Sequence, residues 1–368
     1  MKKTVKILIV VSIIMVSLVL ALLVYMVKNE HAWQDLRRWV SGNPGMSTGI
    51  YKTVPLPATR DLLVECSNEY IYVYADKLLD VMDKNGETVN TVMISYDDVS
   101  LAGFPWGAAV YDKKRGAVVF FAGADKTNEQ LLNKEIYGMA GFPDHAVILT
   151  GPKEGYLGSV VITDNKGHIL STTSYSSRYP VSAAVIDSGR RYVVCGMDFI
   201  HVDRTFLDTY QIYGTAPESG IQTPGTCPLV VYLNKDVYAA VGPDGLFVYN
   251  PTGNLLKEYA MESIQHVVSD MKSSLFVKHT KEEKAYLMKI TNTTGADWDK
   301  QIGFDPLGMA ALDDICVVWS RSSLTIFDRG SGFQSEVGGL SDVRESFLMN
   351  GDILLIHTAD ELVLYNLR

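Results

Sequence analysis

The sequence has few of the residues that build metal sites and disulfide frameworks. It contains 4 cysteines and 7 histidines in 368 residues. Cys66, Cys195, Cys227 and Cys316 lie far apart, without a C-x-x-C pair, and the histidines form neither an H-x-H nor an H-E-x-x-H motif. Zinc sites and disulfide-stapled folds need such spacings. We therefore predict no metal site and expect Cys195 and Cys316, which lie in Val-rich runs, to be buried strand thiols.

Positive charge is also scarce. The chain has 33 basic and 42 acidic residues, a net charge of −9 at pH 7. Four of the lysines precede residue 29, where no acidic residue occurs, so residues 29–368 carry 29 basic against 42 acidic residues, a net charge of −13. Proteins that bind nucleic acid need a basic face to neutralise phosphates. We expect no nucleic-acid partner.

Motifs for catalysis are missing as well. No G-x-S-x-G elbow occurs, and the acidic residues that could supply a carboxylate pair each lie in a polar turn, where Asp is favoured for local hydrogen bonding. They are Asp98, Asp125, Asp164, Asp313 and Asp314. We therefore assign no catalytic, cofactor-binding or metal-binding residue and expect no cofactor. Whether the chain is an enzyme stays open, with a non-enzymatic role favoured.

One long hydrophobic run is present near the N-terminus. From Ile7 to Val27 nothing is more polar than Ser12, Ser17 and Tyr25. At a rise of about 1.5 Å per residue, a helix of this length covers a bilayer core of about 30 Å. The run exceeds the apolar region of a signal peptide and lacks a small-x-small cleavage site. We therefore predict a transmembrane helix at 7–27 that anchors the chain in the lipid bilayer.

The charges beside this helix favour one orientation slightly. Basic residues occur before the span at Lys2, Lys3 and Lys6 and after it at Lys28, Arg37 and Arg38. The positive-inside rule then places the N-terminus in the cytoplasm, and a short tail before a large body is the simpler signal-anchor arrangement. We expect a single-pass cell-membrane protein with a cytoplasmic tail at 1–6 and an extracytoplasmic C-terminal domain.

Residues 28–48 form a juxtamembrane segment. Within it, Trp33, Leu36 and Val40 share one helical face, which fits a short interfacial helix with its tryptophans at the headgroups. An ordinary linker fits equally well. The sequence Ser-Gly-Asn-Pro-Gly at 41–45 ends any helix, so the folded domain is predicted to cover residues 49–368.

Beyond residue 49, short runs of Val, Ile, Tyr and Phe alternate with turns, and this pattern predicts an all-β domain. A phrase recurs in which an apolar strand is followed by Asp or Asn, two or three variable residues and Gly. Gly supplies the positive φ of a tight turn, and the Asx side chain bonds back to the turn backbone. The five copies begin at Asp83, Asp164, Asn250, Asn292 and Asp328.

Aligning the other strands on this phrase gives units of four strands at the spacing of propeller blades. Blades are predicted to begin near residues 61, 99, 136, 180, 228, 263 and 307. An eighth unit begins near residue 342 and lacks its fourth strand, which the strand at 50–56 would supply, with Pro55 on a sheet edge. An eight-bladed β-propeller is the preferred fold, and seven blades, with the second unit miscounted, is the alternative.

A family resemblance rests on two runs of sequence. They are residues 155–170 (GYLGSVVITDNKGHIL) and 182–194 (SAAVIDSGRRYVV). Together they resemble an uncharacterised family of single-span membrane proteins of Gram-positive bacteria, with a propeller ectodomain similar to quinoprotein and WD-repeat folds. The similarity covers most of residues 50–368. It implies the anchor and the propeller and transfers no activity.

One face of the predicted propeller is a candidate partner-binding surface. Connections between the second and third strands of a blade, and between blades, emerge on the same face. We expect that face to collect the loops near 151–155, 177–180 and 195–198 and a long loop at 214–227, and unusually long loops are often functional. A mixed-charge rim with an aromatic anchor is typical of a protein interface. The candidate residues are Lys153, Glu154, Arg178, Tyr179 and Glu218; a tolerated surface insertion is the alternative.

A rigid propeller held at the membrane suits recognition of another protein. We expect a protein-binding or scaffolding module whose partner is an envelope or membrane protein. The alternative is a quinoprotein-like or other propeller enzyme with a site in the central channel. The 5 tryptophans do not repeat from blade to blade, so the docking girdle of quinoproteins is missing. Carboxylates converging in the channel would favour the enzyme.

Overall fold

In the computed structural model, the chain folds into short antiparallel strands. The structure describes residues 49–198, 204–243, 245–291, 296–327, 334–350 and 353–367. Within these ranges lie 32 strands and one turn of 3-10 helix at Asp187–Gly189. The all-β prediction is confirmed.

The predicted transmembrane helix at 7–27 and the juxtamembrane segment at 28–48, interpreted as an interfacial helix or a linker, lie outside the described residues. Among the residues that the structure does describe, no helix has the length and hydropathy to cross a bilayer.

The strands form eight four-stranded sheets, which are the blades of a β-propeller. The preferred blade count is confirmed, and the second unit is a complete blade. Blades 1 to 4 follow one another along the chain. Blade 1 is β2 (Leu63–Cys66), β3 (Tyr70–Ala75), β4 (Leu78–Asp83) and β5 (Thr88–Met93); blade 2 is β6 (Val99–Phe104), β7 (Gly107–Asp112), β8 (Ala117–Ala122) and β9 (Asp125–Leu131); blade 3 is β10 (Ile136–Gly141), β11 (His145–Thr150), β12 (Gly158–Asp164) and β13 (Ile169–Tyr175); blade 4 is β14 (Arg178–Ile186), β15 (Arg191–Asp198), β16 (Thr205–Gln211) and β17 (Ser219–Gln222).

The remaining blades continue this pattern, and the last one joins the two ends of the domain. Blade 5 is β18 (Leu229–Asn234), β19 (Val237–Val241), β20 (Gly245–Tyr249) and β21 (Leu255–Ala260); blade 6 is β22 (His266–Ser269), β23 (Leu275–Lys281), β24 (Lys284–Ile290) and β25 (Trp298–Gln301); blade 7 is β26 (Gly308–Leu312), β27 (Ile315–Trp319), β28 (Leu324–Phe327) and β29 (Gln334–Val337); blade 8 is β30 (Glu345–Met349), β31 (Ile353–His357), β32 (Glu361–Asn366) and β1 (Gly49–Pro55).

The position of a strand within its blade follows from its side chains. All six residues of β7 are buried, whereas β5, the fourth strand of blade 1, alternates between exposed and half-buried positions from Val89 to Met93. A strand covered on both faces needs a continuous apolar run, and one at the rim needs apolar residues only on alternate positions. The sequence therefore specifies the order of strands in each blade.

The hydrophobic core is a ring of layers between adjacent blades. Tyr72 and Tyr74 of blade 1 pack against blade 2, while Ile71 and Val73 of the same strand pack against blade 8. This division follows from the two-residue period of a strand. The Tyr72 hydroxyl also donates to the carbonyl oxygen of Gly123 in blade 2, at 2.7 Å.

The first strands of the blades surround a common axis. β14 contacts β18, β26 contacts β30, and β30 contacts β2, which closes the ring. A central channel lined by the first strands results.

Closure of the ring uses β1, as predicted. In blade 8 the order is β1, β32, β31, β30, so β1 supplies the outermost strand beside the C-terminal one. Pro55 lies on this edge strand and is exposed, where its missing N–H breaks no ladder. Tyr51, Val54 and Leu56 pack against the core between blades 8 and 1.

The recurring Asx-Gly phrase marks the turn between the third and fourth strands. In blade 3, Asp164 accepts hydrogen bonds from the backbone N–H groups of Lys166 and His168, at 2.9 and 2.8 Å, and Gly167 has a φ of +82°. A Cβ at Gly167 would lie 2.3 Å from Phe120 in blade 2. Each such turn therefore joins neighbouring blades as well as adjacent strands. The copies beginning at Asn292 and Asp328 lie outside the described residues.

Candidate functional site

The two faces of the propeller differ in their connections. On one face, here called the loop face, the second strand of each blade connects to the third and each blade connects to the next. On the opposite face, here called the turn face, lie the other connections, including the Asx-Gly turns. The strand order places residues 151–157, 176–177 and 223–228 on the loop face and residues 187–190 and 212–218 on the turn face.

A tight hairpin carries Lys153 and Glu154 on the loop face. The backbones of Lys153 and Tyr156 exchange two hydrogen bonds, of 3.1 and 3.0 Å. Glu154 and Gly155 between them have φ values of +52° and +85°, the pattern of a two-residue hairpin turn. This geometry holds the carboxylate of Glu154 and the ring of Tyr156 out from the loop face.

Arg178 begins β14 in the next blade and is held by its own blade. Its Nη1 lies 2.9 Å from Oδ2 of Asp208, and its guanidinium stacks 3.8 Å from the ring centre of Phe206. The side chain reaches them by crossing Gly196, where a Cβ would lie 3.4 Å from Cβ of Arg178. Burial raises the pKa of Asp208, and Arg178 opposes that rise. Through these two contacts Arg178 ties the start of β14 to β16 at the loop-face end of blade 4.

Tyr179, near the start of β14, is within electrostatic reach of Tyr137 in β10, which is not among the residues predicted from the sequence. Burial, Glu135 and Tyr179 together raise the pKa of Tyr137. The Tyr137 hydroxyl oxygen lies 2.8 Å from where a Cβ of Gly151 would be. Lys153, Glu154, Arg178 and Tyr179 thus come together on the loop face of blades 3 and 4.

The expectation for Glu218 is wrong. Segment 214–227 is not one long loop, because β17 occupies residues 219–222. Glu218 precedes this strand on the turn face, where its carboxylate accepts bonds from Nε of Arg191 at 2.8 Å and Nε2 of Gln211 at 2.7 Å. The strand is only Ser-Gly-Ile-Gln, and its polar composition hid it in the sequence.

Exposed apolar side chains accompany the loop-face residues. Tyr137 is 57% exposed, Tyr156 46% and Leu229 39%. Tyr137 and Leu229 lie at the loop-face ends of two first strands, β10 and β18. Such residues cannot be separated from core residues by sequence pattern, because both occur in apolar strands. We call this group of loop-face side chains the aromatic rim; its members are Tyr137, Lys153, Glu154, Tyr156, Tyr179 and Leu229.

The central channel beside the aromatic rim is apolar. A cavity of about 490 Å³ is lined by the first strands of blades 3 to 7, including Met139, Ala183, Leu229, Val267 and Ala310. Leu229 belongs both to this cavity and to the rim. The apolar cavity therefore reaches the loop face where the exposed tyrosines lie.

A second, more polar pocket lies in the channel between blades 8, 1 and 2. It has a volume of about 340 Å³ and is called the carboxyl pocket below. Burial and the nearby Glu345 raise the pKa of Glu65 to about 8, while backbone N–H groups of Gly103 and Cys66 lower it. Its lining residues are Leu62, Leu63, Val64, Glu65, Leu101, Arg344, Glu345 and His357.

The carboxylates considered from the sequence do not converge. Asp98 pairs with Lys114 at 3.4 Å, Asp164 caps its turn, and Asp314 pairs with Lys289 at 3.3 Å. They lie in blades 2, 3 and 7 respectively. Across the described ranges, no three His, Cys, Asp or Glu side chains are arranged to hold a metal ion.

The cysteines have the environments that the sequence predicted. Cys195 and Cys316 are fully buried in strands, and all four cysteines are free thiols. Cys195 donates its S–H to the carbonyl oxygen of Cys227 at 3.1 Å, and burial raises its pKa to about 12. A thiol with a pKa this high is not a nucleophile at neutral pH.

Several solved structures are similar to this chain in fold, among them two bacterial proteins and one chain of a multiprotein complex. BamB from Moraxella catarrhalis is 10% identical with a TM-score of 0.56, covering 86% of this chain and 99% of that one. The quinohemoprotein alcohol dehydrogenase ADHIIG from Pseudomonas putida HK5 is 9% identical with a TM-score of 0.58, covering 87% and 76%. A chain of the mitotic checkpoint complex is 12% identical with a TM-score of 0.50, covering 88% and 96%. At these identities the likeness establishes the propeller fold alone.

Sequence comparison identifies a family and no individual relative. No curated protein matches the chain. The family of unknown function DUF5711 matches residues 58–334, which include all of blades 1 to 6 and most of blade 7. The chain therefore belongs to the family of unknown function DUF5711.

Proposed function

We propose that this protein is a membrane-anchored recognition module, which binds another envelope or membrane protein on its loop face. The observation that carries this proposal is the position of the aromatic rim beside the opening of the apolar channel cavity. Residues 7–27 would hold the propeller at the outer side of the cell membrane. The loop face would then present a rigid surface to a neighbouring protein.

The composition of the rim supports this role. Tyrosines bury a large area at a low cost in side-chain entropy, and they are enriched at the centres of protein interfaces. Lys153 and Glu154 add charges of both signs at the edge, where they favour specificity over affinity. The hairpin at 153–156 and the packing of Tyr137 on Gly151 hold these groups in place before a partner arrives.

The channel cavity beside the aromatic rim supports recognition, whereas the two carboxylates that meet in the carboxyl pocket are the feature that the enzymatic alternative would use. A quinoprotein-like enzyme would need polar groups around a bound cofactor in the channel. The walls of the 490 Å³ cavity are instead mainly aliphatic, with Ser182, Tyr232 and Ser269 as their polar side chains. Such a cavity suits an apolar side chain of a partner that docks on the rim.

Substitution of the rim tests the proposal. Tyr137→Ala with Tyr156→Ala, in the full-length chain, should abolish co-purification of a membrane partner and leave the melting midpoint nearly unchanged. Tyr213→Ala is the matched control, because Tyr213 is 74% exposed on the turn face. If the double variant retains every partner that the wild type retains, the loop face is not the binding site.

Protease treatment of intact cells tests the anchor and its orientation. An external protease should remove residues beyond about 41, leaving the short N-terminal fragment with the membrane. Protection of the whole chain until the membrane is breached would place the propeller in the cytoplasm.

A further inference from the structure

We propose that the carboxyl pocket binds a cationic nitrogen group, an ammonium or guanidinium, on a basic side chain of the partner segment. The assignment of the cation to a partner rests on the proposed function; the cation site itself rests on the geometry of the pocket. Its loop-face end is formed by Leu62, Arg344 and His357. A partner that covers the loop face would therefore meet this end of the pocket.

Glu65 is the first element of this site. Its carboxylate accepts from the backbone N–H groups of Gly103 and Cys66. Within the described residues no Lys, Arg or His nitrogen pairs with it within 4 Å. Buried carboxylates are stable as anions only when they are paired, and otherwise they take up a proton. Arg344 lines the pocket but forms no ion pair with Glu65, so the anionic form of Glu65 has no direct counter-charge among the described side chains.

His357 supplies an independent indication of a ligand. The residue is 5% exposed and lines the pocket, and its Nδ1 lies 3.4 Å from Oε2 of Glu345. Its Nε2 is buried without a hydrogen-bond partner among the described residues. When Nδ1 carries the proton toward Glu345, Nε2 presents a lone pair. Buried polar atoms without partners are rare in native proteins, so a donor is expected here.

The distribution of acceptors selects the class of ligand. Two carboxylates and one imidazole line the pocket, and Arg344 is its only lining cation. An anion would be repelled by Glu345, and by Glu65 whenever Glu65 is ionised. A metal ion would need several ligands grouped around one point, and the described side chains form no such group of three. An organic cation with several N–H groups can instead donate to separate acceptors in the pocket. The volume, about 340 Å³, lies in the range of ligand pockets.

Binding should be coupled to release of a proton. Glu65, with a pKa of about 8, is mostly protonated at neutral pH. A cation binds the deprotonated form, so its affinity should rise up to about tenfold per pH unit until the pH passes the pKa of Glu65. The charged and ionisable groups facing Glu65 from the surrounding elements are Cys66, Tyr111, Arg344, Glu345 and His357.

Calorimetry with small probes tests the site in the full-length chain. N-acetylargininamide should bind near pH 8.5 and at least about fivefold more weakly near pH 6.5. N-acetylcitrullinamide, a neutral analogue of similar shape, should not bind. Glu65→Gln and His357→Gln should each weaken binding of the cation. Glu87→Gln, an exposed carboxylate on the turn face, is the matched control.

The outcomes separate this proposal from the recognition role. Equal binding of the citrulline probe, no binding of the arginine probe, or unchanged binding by folded Glu65→Gln would each overturn the cation site. Tighter binding of spermidine than of the arginine probe would assign the site to a free polyamine. Because no partner is present in the calorimeter, cation binding would survive even if the rim variants disproved protein recognition.

Discussion

The backbone N–H of Leu56 donates a hydrogen bond of 2.8 Å to the carbonyl oxygen of Asp360, near the other end of the chain. Between them, β1 and β32 lie side by side in blade 8. The ring is therefore closed by strand pairing between the first and last strands of the propeller. An open β32 would present an unpaired edge to other molecules.

Deletion of residues 49–57 should destabilise the whole domain. The half-buried side chains of Tyr51, Val54 and Leu56 would leave the core between blades 8 and 1. We expect a loss of at least about 3 kcal/mol in the free energy of unfolding. Val54→Ala should cost about 1 kcal/mol, and Thr53→Ala, on the exposed face of the same strand, within about 0.5. An unchanged melting midpoint for the deletion would dismiss closure by β1.

Two glycines with nearly equal φ should respond differently to alanine. Gly155 has a φ of +85° and open space around it, so Gly155→Ala should cost only the strain of a left-handed residue, about 1 kcal/mol. At Gly167 the new Cβ would also meet Phe120, which should add at least about 2 kcal/mol. Urea unfolding of both variants measures the difference. Equal costs would contradict the packing of this turn against blade 2.

The contribution of Glu65 to the stability of the protein should fall as pH rises between about 4 and about 8. In the folded state its pKa is about 8, above the value near 4.3 of an unfolded glutamate. The folded state therefore binds the extra proton in this range, and losing it with rising pH removes stability. Glu65→Gln should flatten this slope relative to Glu87→Gln. An unaltered slope would show that Glu65 does not titrate this way.

Removal of Arg178 should destabilise blade 4. Arg178→Ala leaves the partly buried Asp208 without its counter-charge and exposes the face of Phe206, which should cost about 1–2 kcal/mol at neutral pH. The pKa of Asp208, already raised by burial, should rise further. Arg190→Ala is the control, since its side chain is 76% exposed. Asp208→Asn combined with Arg178→Ala should recover part of the loss; an additive loss would argue against the pairing.

Much of the fold could be predicted because its signals are local. The first strands of the blades begin within three residues of the predicted positions. The Asx-Gly turn marks where the third strand of a blade ends and the fourth begins. Blade 2 lacks the phrase and turns at Gly123, which has a φ of +58°. β17 was missed because Ser219 and Gln222 leave a four-residue strand with almost no apolar pattern.

The site could be predicted only in part, because it depends on contacts between distant segments. The common face of Lys153, Arg178 and Tyr179 could be predicted, since loops at the same strand ends share a face; their role in binding stays a prediction. Glu65 and Glu345 come close to one another only when the last blade closes on the first. Nothing local to either glutamate distinguishes it from an ordinary polar residue at the end of a strand.

Site-specific photocrosslinking in living cells tests the central claim most directly. A photoreactive residue at position 156 would lie on the loop face, and one at position 213 on the turn face. Recognition through the aromatic rim predicts one saturable adduct with a membrane or envelope protein from position 156, lost when Tyr137→Ala is added, and none from position 213. Equal adducts from both positions, or an adduct from position 213 alone, would contradict the account.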